Sequence, residues 1–152
     1  MELSGELRID APRDQVWQAL NDEAILQASI PGCRELRRDD ENTFSATVSV
    51  KIGIVNATMK GRVTISDVTP QVSYTLTGEG QGVVGFAKGT TRVLLSDIDA
   101  ETTLLNYSAR AEIGGKLASI GSRLVDSVAR SMAEKFFAAF RKNIGAKTVE
   151  TA

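Results

Sequence analysis

The residues that could carry chemistry are few, and their surroundings limit what each can do. Asp39, Asp40 and Glu41 form the one dense acidic run in the chain. Carboxylates so close could hold magnesium or calcium, but with Asn42 and Thr43 beside them the run reads as a solvated hairpin turn. Gly78, Gly80, Gly82 and Gly85 resemble a phosphate cradle in spacing alone. No Lys-Ser/Thr ending and no helical pattern follows them, so they do not read as a nucleotide loop. Cys33 is the single cysteine and histidine is absent. These two facts remove the usual general base, any Ser-His or Cys-His nucleophile pair and a thiolate or imidazole metal site. Cys33 itself reads as a small, half-buried hydrophobe. Tyr74 and Tyr107 remain, with hydroxyls that either meet a ligand carbonyl or are used structurally.

The elements that would position these groups follow from periodicity. Leu3, Gly5, Leu7 and Ile9 alternate with polar residues, the pattern of a half-buried strand. Pro12 then suits a first helical turn, and Val16, Trp17 and Leu20 recur at helical spacing. Asn21-Asp22 can cap a second short helix, which Ile30-Pro31-Gly32 ends. From Arg34 to Ile113 the chain reads as strands and short turns, an antiparallel meander. At Gly114-Gly115 the period changes, and Leu117, Gly121, Leu124, Val128, Met132 and Phe136 predict one long helix running on to Phe140 and Ile144. The fold class is α+β: a curved antiparallel sheet of six to seven strands wrapped around one long C-terminal helix, with two short helices after the first strand. A single domain is expected over 1–146, with a polar tail at 147–152.

Composition excludes several classes. A net charge of −1 argues against nucleic acid as a partner. The N-terminus MELSGELRID alternates, without a basic region followed by an apolar run, so no signal peptide is expected. With one cysteine, this leads to the expectation of a cytoplasmic protein. No stretch reaches the roughly 18 consecutive apolar residues of a membrane-spanning helix.

Several motifs together resemble one known family. Ala11-Pro12 with Val16-Trp17 opens the first helix, and Ile30-Pro31-Gly32-Cys33 closes the second. Gly78-Glu79-Gly80-Gln81-Gly82, then Gly85-Phe86-Ala87-Lys88-Gly89, form a glycine-rich middle. Ile113 to Leu124 opens the last helix, and Phe136-Phe137 lies further along it. The order and these motifs resemble the START-related, helix-grip (SRPBCC) superfamily, and within it the CoxG family of carbon monoxide dehydrogenase subunits. The resemblance implies a hydrophobic cavity under the long helix and a role beside a molybdenum hydroxylase of the carbon monoxide dehydrogenase type. That role is membrane recruitment, maturation or electron hand-off, with carriage of a quinone or lipid-like ligand and no covalent cofactor. Many members carry a C-terminal apolar anchor, which these residues do not include, so reversible contact at the inner face of the cytoplasmic membrane or soluble shuttling is the expectation.

The residues allow a cavity on their own account. Gly61, Gly85, Ala87, Gly89, Ala109 and Ala111 face Gly121, Val125 and Met132, and small residues on both sides leave room unless helix and sheet simply touch there. Met59 and Met132 suit an adaptable lining. The expected cavity set is therefore Met59, Gly61, Val63, Tyr74, Gly85, Ala87, Tyr107, Ala109, Gly121, Leu124, Val125, Val128 and Met132. Ile54-Val55 and Val83-Val84 with Phe86 place apolar residues where turns favour polar ones. They are either a cavity mouth and membrane-facing edge, together with Pro31, Gly32 and Cys33, or buried strand. Residues 116–147 carry seven Lys or Arg against Asp126 and Glu134, a net +5 that either meets anionic lipid or is a solvated face. The leading function is a non-catalytic, ligand-binding accessory protein. The alternatives are a cyclase or aromatase-like enzyme acting through cavity shape, or a general lipid-binding protein.

Overall fold

Alternation becomes sheet throughout. The computed structural model describes residues 1–145 fully and the backbone of the last helix as far as Thr151; the polar tail read at 147–152 lies outside the fully described residues. The strands are β1 (Glu2–Ile9), β2 (Cys33–Asp40), β3 (Thr43–Ile52), β4 (Val55–Thr69), β5 (Ser73–Gly82), β6 (Gly85–Asp99) and β7 (Thr102–Gly114). They form one curved antiparallel sheet in the order β1-β7-β6-β5-β4-β3-β2. β1 therefore pairs with the last strand, and the chain must cross from one sheet edge to the other before β2.

Two short helices make that crossing. α1 (Arg13–Leu20) follows Pro12, whose carbonyl accepts from the Val16 amide at 3.1 Å. α2 (Glu23–Ser29) is capped by Asp22, whose carboxylate accepts from the Ala24 and Ile25 amides at 2.9 and 3.1 Å. Ile30 is held extended before Pro31, which ends α2. The long helix departs from expectation at its start. It is not continuous from Leu117: α3 (Lys116–Ser119) and α4 (Ser122–Thr151) are separated at Gly121, whose φ of 109° no helix accommodates.

The inner face of the sheet meets α4 at both ends but by different means. At the α1–α2 end, Ile9, Val16, Leu20, Ile25, Leu95, Leu105, Phe140 and Ile144 form one buried cluster. The rings of Phe136 and Phe140 stack at 5.6 Å, and Tyr107 lies against Phe137 at 5.1 Å. Polar ties lock the same end. Arg141 donates twice to the Arg8 carbonyl at 3.0 and 2.6 Å, Asn143 bonds Ser29 at 3.0 Å, and buried Thr103 donates to the Ala11 carbonyl at 2.8 Å. Phe140 is wholly buried in this cluster. Truncating Phe140→Ala is expected to destabilise the domain by about 3–5 kcal/mol in urea unfolding, because the surrounding helices and strands cannot close on the hole.

Candidate functional site

Strand register puts the small residues in rows across the middle of the inner face. Ala46, Gly61, Gly80, Ala87 and Ile113 are successive partners from β3 to β7, and Phe44, Val63, Gly78, Gly89 and Ala111 form the next row. These rows lie between two separate hydrophobic clusters. The first is the Phe140 cluster; the second, at the far end, gathers Ile52, Ala57 and Leu117 with Met59, Val84, Ile113, Ile120 and Val128.

The glycines of these rows have two distinct roles. A methyl group built at Gly61 would lie 2.8 Å from the Glu79 carbonyl oxygen, and one at Gly89 would lie 2.6 Å from that of Arg110. Both glycines therefore serve the close approach of neighbouring strands. A methyl at Gly78 would touch only Val63 Cγ2 at 3.5 Å and the Arg62 carbonyl at 3.8 Å. One at Gly80 would find Lys60, Gly61 and Met59 atoms at 3.6–4.0 Å and none from α4. Close contact between helix and sheet is thus not what requires glycine at 78 and 80.

The other expected cavity residues divide. Met59, Gly61, Val63, Ala87 and Ala109 share the inner face, and Val125, Val128 and Met132 are half-buried on α4. Gly121 and Leu124 do not line this region. Gly121 is the exposed break between α3 and α4, and Leu124 is exposed with its Cδ2 3.3 Å from where Gly53 would carry a Cβ. Gly85, with φ 136°, closes the β5–β6 hairpin, where a side chain would strike the Gly114 carbonyl oxygen. Tyr74 is 5% exposed, its ring edge-on to Trp17 at 5.3 Å, and burial pushes its phenol pKa well up. Tyr107 covers Gly5, with its hydroxyl 3.0 Å from where that residue's Cβ would be, so it points to the β1 edge.

The expected mouth residues divide as well. Ile54 and Val83 stand at neighbouring hairpin tips with 97% and 95% of their surface exposed. Val55 and Val84 are half-buried, and the Val84 carbonyl accepts from the Leu117 amide at 2.8 Å, tying α3 to the tip. Phe86 is not at the mouth. It turns to the outer face, where its register partner Gly114 leaves a seat for the ring. Pro31, Gly32 and Cys33 make the turn from α2 onto edge strand β2, and the carbonyl of Gly32 (φ 73°) accepts from the Ser49 amide at 2.9 Å. Burial raises the Cys33 thiol pKa, the opposite of what a reactive thiolate needs. The acidic run is a satisfied turn: Asp39 is bonded by Ser45 and Arg37, which hold its carboxyl low, and Asp40 accepts from the Asn42 amide.

Sequence reasoning counted Lys116 and Arg123 in the basic stretch at 116–147 but did not single out Lys51. Lys51, Lys116 and Arg123 are exposed beside Ile54, Val83 and Leu124, and none has an ion pair among the described residues. Two broad grooves of about 740 and 620 Å³ lie on the outer face. Mixed charges such as Arg62, Glu79 and Lys88 line both of them, which makes them poor sites for an apolar ligand.

The family model of the CoxG subunit of carbon monoxide dehydrogenase matches residues 5–145. The chain belongs to that family. Among solved structures it is similar to a conserved protein from Geobacillus kaustophilus, 30% identical over 96% of each chain with a TM-score of 0.90. It also resembles a START superfamily protein from Mycobacterium smegmatis, 14% identical over 95% of this chain and 97% of that one, TM-score 0.71. The Zhui aromatase/cyclase from Streptomyces sp. R1128 is 12% identical over 97% and 95%, also at 0.71. The last two likenesses are of fold. No curated protein matches the chain. No helix among the described residues is long and apolar enough to cross a membrane.

In this CoxG-family domain the two kinds of glycine should separate by mutation. Gly78→Ala and Gly80→Ala are expected to leave stability unchanged or raise it by up to about 1 kcal/mol through reduced unfolded-state entropy. Gly61→Ala and Gly89→Ala should cost about 1–3 kcal/mol through strand displacement. Urea titration of the four variants measures the contrast.

Proposed function

We propose that this chain is a non-catalytic accessory protein of a carbon monoxide dehydrogenase-type molybdenum hydroxylase. In this reading it binds an apolar ligand, quinone or lipid-like, between α4 and the inner face of the sheet. It exchanges that ligand at a membrane surface and so aids recruitment of the enzyme or electron hand-off. The observation that carries the reading is that a Cβ built at Gly78 or Gly80, in the rows between the two clusters, finds no atom of α4 within 4 Å. Protein interiors are close-packed, and an apolar space left unfilled by the chain is one a ligand can fill. Membership of the CoxG family supports the partner.

The membrane part rests on the tips. Ile54 and Val83 gain nothing from the fold in their exposed positions, whereas each contributes on the order of 1.5–3 kcal/mol if it leaves water for lipid. The unpaired Lys51, Lys116 and Arg123 would meet anionic headgroups beside them. Such contact is reversible in strength, as a shuttle requires.

Ligand binding is tested by organic extraction and mass spectrometry of the natively purified protein. A stoichiometric apolar compound is expected from the wild type and at least a tenfold smaller amount from Gly80→Leu, with the melting temperature kept. Equal recovery from both would remove the space over Gly80 from the mechanism. Membrane contact is tested by co-sedimentation with phosphatidylcholine–phosphatidylglycerol vesicles. Ile54→Ser with Val83→Ser should weaken it by about tenfold or more, since two apolar side chains are lost from the contact.

A further inference from the structure

Tyr74 holds a hydroxyl that the fold does not use. The residue is only 5% exposed, yet its Oη has no hydrogen-bond partner among the described residues, whereas every sealed polar side-chain atom among them has one. The Tyr74 oxygen is therefore not sealed: it borders space that a water-sized molecule reaches. A buried phenol without a partner is costly, and the usual remedy is a neighbouring carbonyl. Tyr74 belongs to the Phe140 cluster.

Its place along β5 gives the hydroxyl a use. Tyr74, Leu76, Gly78 and Gly80 are the successive inner-face residues of that strand; Tyr74 belongs to the Phe140 cluster, Leu76 packs against it, and Gly78 follows. Gly78 is four positions further on, about 13 Å of strand. Burial raises the phenol pKa, so the group stays a neutral donor. The surrounding cluster is apolar, which disfavours a charged carboxylate there. Tyr107, the other inner-face tyrosine, spends its length covering Gly5 and cannot substitute.

We infer that Tyr74 is the polar anchor of the cleft, donating its hydroxyl to a carbonyl oxygen of a neutral ligand whose apolar body lies over Gly78 and Gly80. The inference rests on the ligand-binding reading above and adds to it the residue that selects for oxygen. No covalent step is involved.

Two probes of nearly the same shape test it: 2-acetylnaphthalene, which has the carbonyl, and 2-ethylnaphthalene, which lacks it. Each is titrated by fluorescence against the wild type, Tyr74→Phe and Tyr107→Phe. Tyr74→Phe should bind the ketone about three- to tenfold more weakly, the range of one neutral hydrogen bond. Its affinity for the hydrocarbon should be unchanged, and its melting temperature the same or higher. The infrared carbonyl band of bound ketone should move to lower frequency in the wild type and in Tyr107→Phe, but not in Tyr74→Phe. Equal ketone affinity in wild type and Tyr74→Phe, or an unshifted band in the wild type, overturns the anchor and leaves the cleft standing. A fall in melting temperature for Tyr74→Phe shows a structural bond instead and also overturns it. If neither probe binds the wild type, the cleft reading falls, and the anchor with it.

Discussion

The aromatic seam beneath α4 is anchored at one end, and the rest of the molecule depends on that asymmetry. Phe140 is fully buried where α1, α2, β1, β6 and β7 converge, and Phe136 and Phe137 extend the seam along the helix. The Arg141 pair to the Arg8 carbonyl fixes the helix to the sheet edge beside it. In the middle rows a Cβ built at Gly78 or Gly80 finds no atom of α4 within 4 Å. Packing resumes only where α3 and the start of α4 meet the hairpin tips.

The sheet glycines fall into two kinds, by different physics. Gly61, Gly82 and Gly89 let carbonyls of adjacent strands come within distances a Cβ would forbid. Gly78 and Gly80 are close to neutral for the backbone, so their absent side chains matter for the space they leave. An edge strand bearing an inward charge fits the same design. Arg38 on β2 lies 4.4 Å from the Phe44 ring centre and bonds the Asn21 and Glu41 carbonyls, closing the α1–α2 end with a group that needs no ligand.

The opposite end is assembled differently. Topology brings the β3–β4 tip, the β5–β6 tip and the end of β7 to one side of the molecule. α3 is tied to the second tip by a single backbone bond, and the Gly121 break frees the start of α4 from a rigid path. Apolar tips, unpaired cations and a broken helix thus share one end, while the polar ties that stabilise the fold share the other. Separating the two lets one end move without loosening the core.

Much of this was legible in the sequence. Period-two runs placed the strands, Pro12, Asp22 and Pro31 bounded the short helices, and the glycine and helix-opening motifs carried the CoxG resemblance that the family match bears out. Such signals are local: each depends on residues within a few positions of one another. The tertiary structure alone decided the rest. The same alternation that assigned Phe86 to a strand could not say that Gly114, paired with it across the sheet, would seat its ring outside. Helical spacing ran through Gly121 without revealing that its φ would break the helix, or that Leu124 would end beside Gly53. Nor could composition divide Gly61 from Gly80, adjacent partners in one row, one crowded by a carbonyl and the other open. Those outcomes depend on register and on where a helix is held, through contacts between residues tens of positions apart, and local pattern does not encode them.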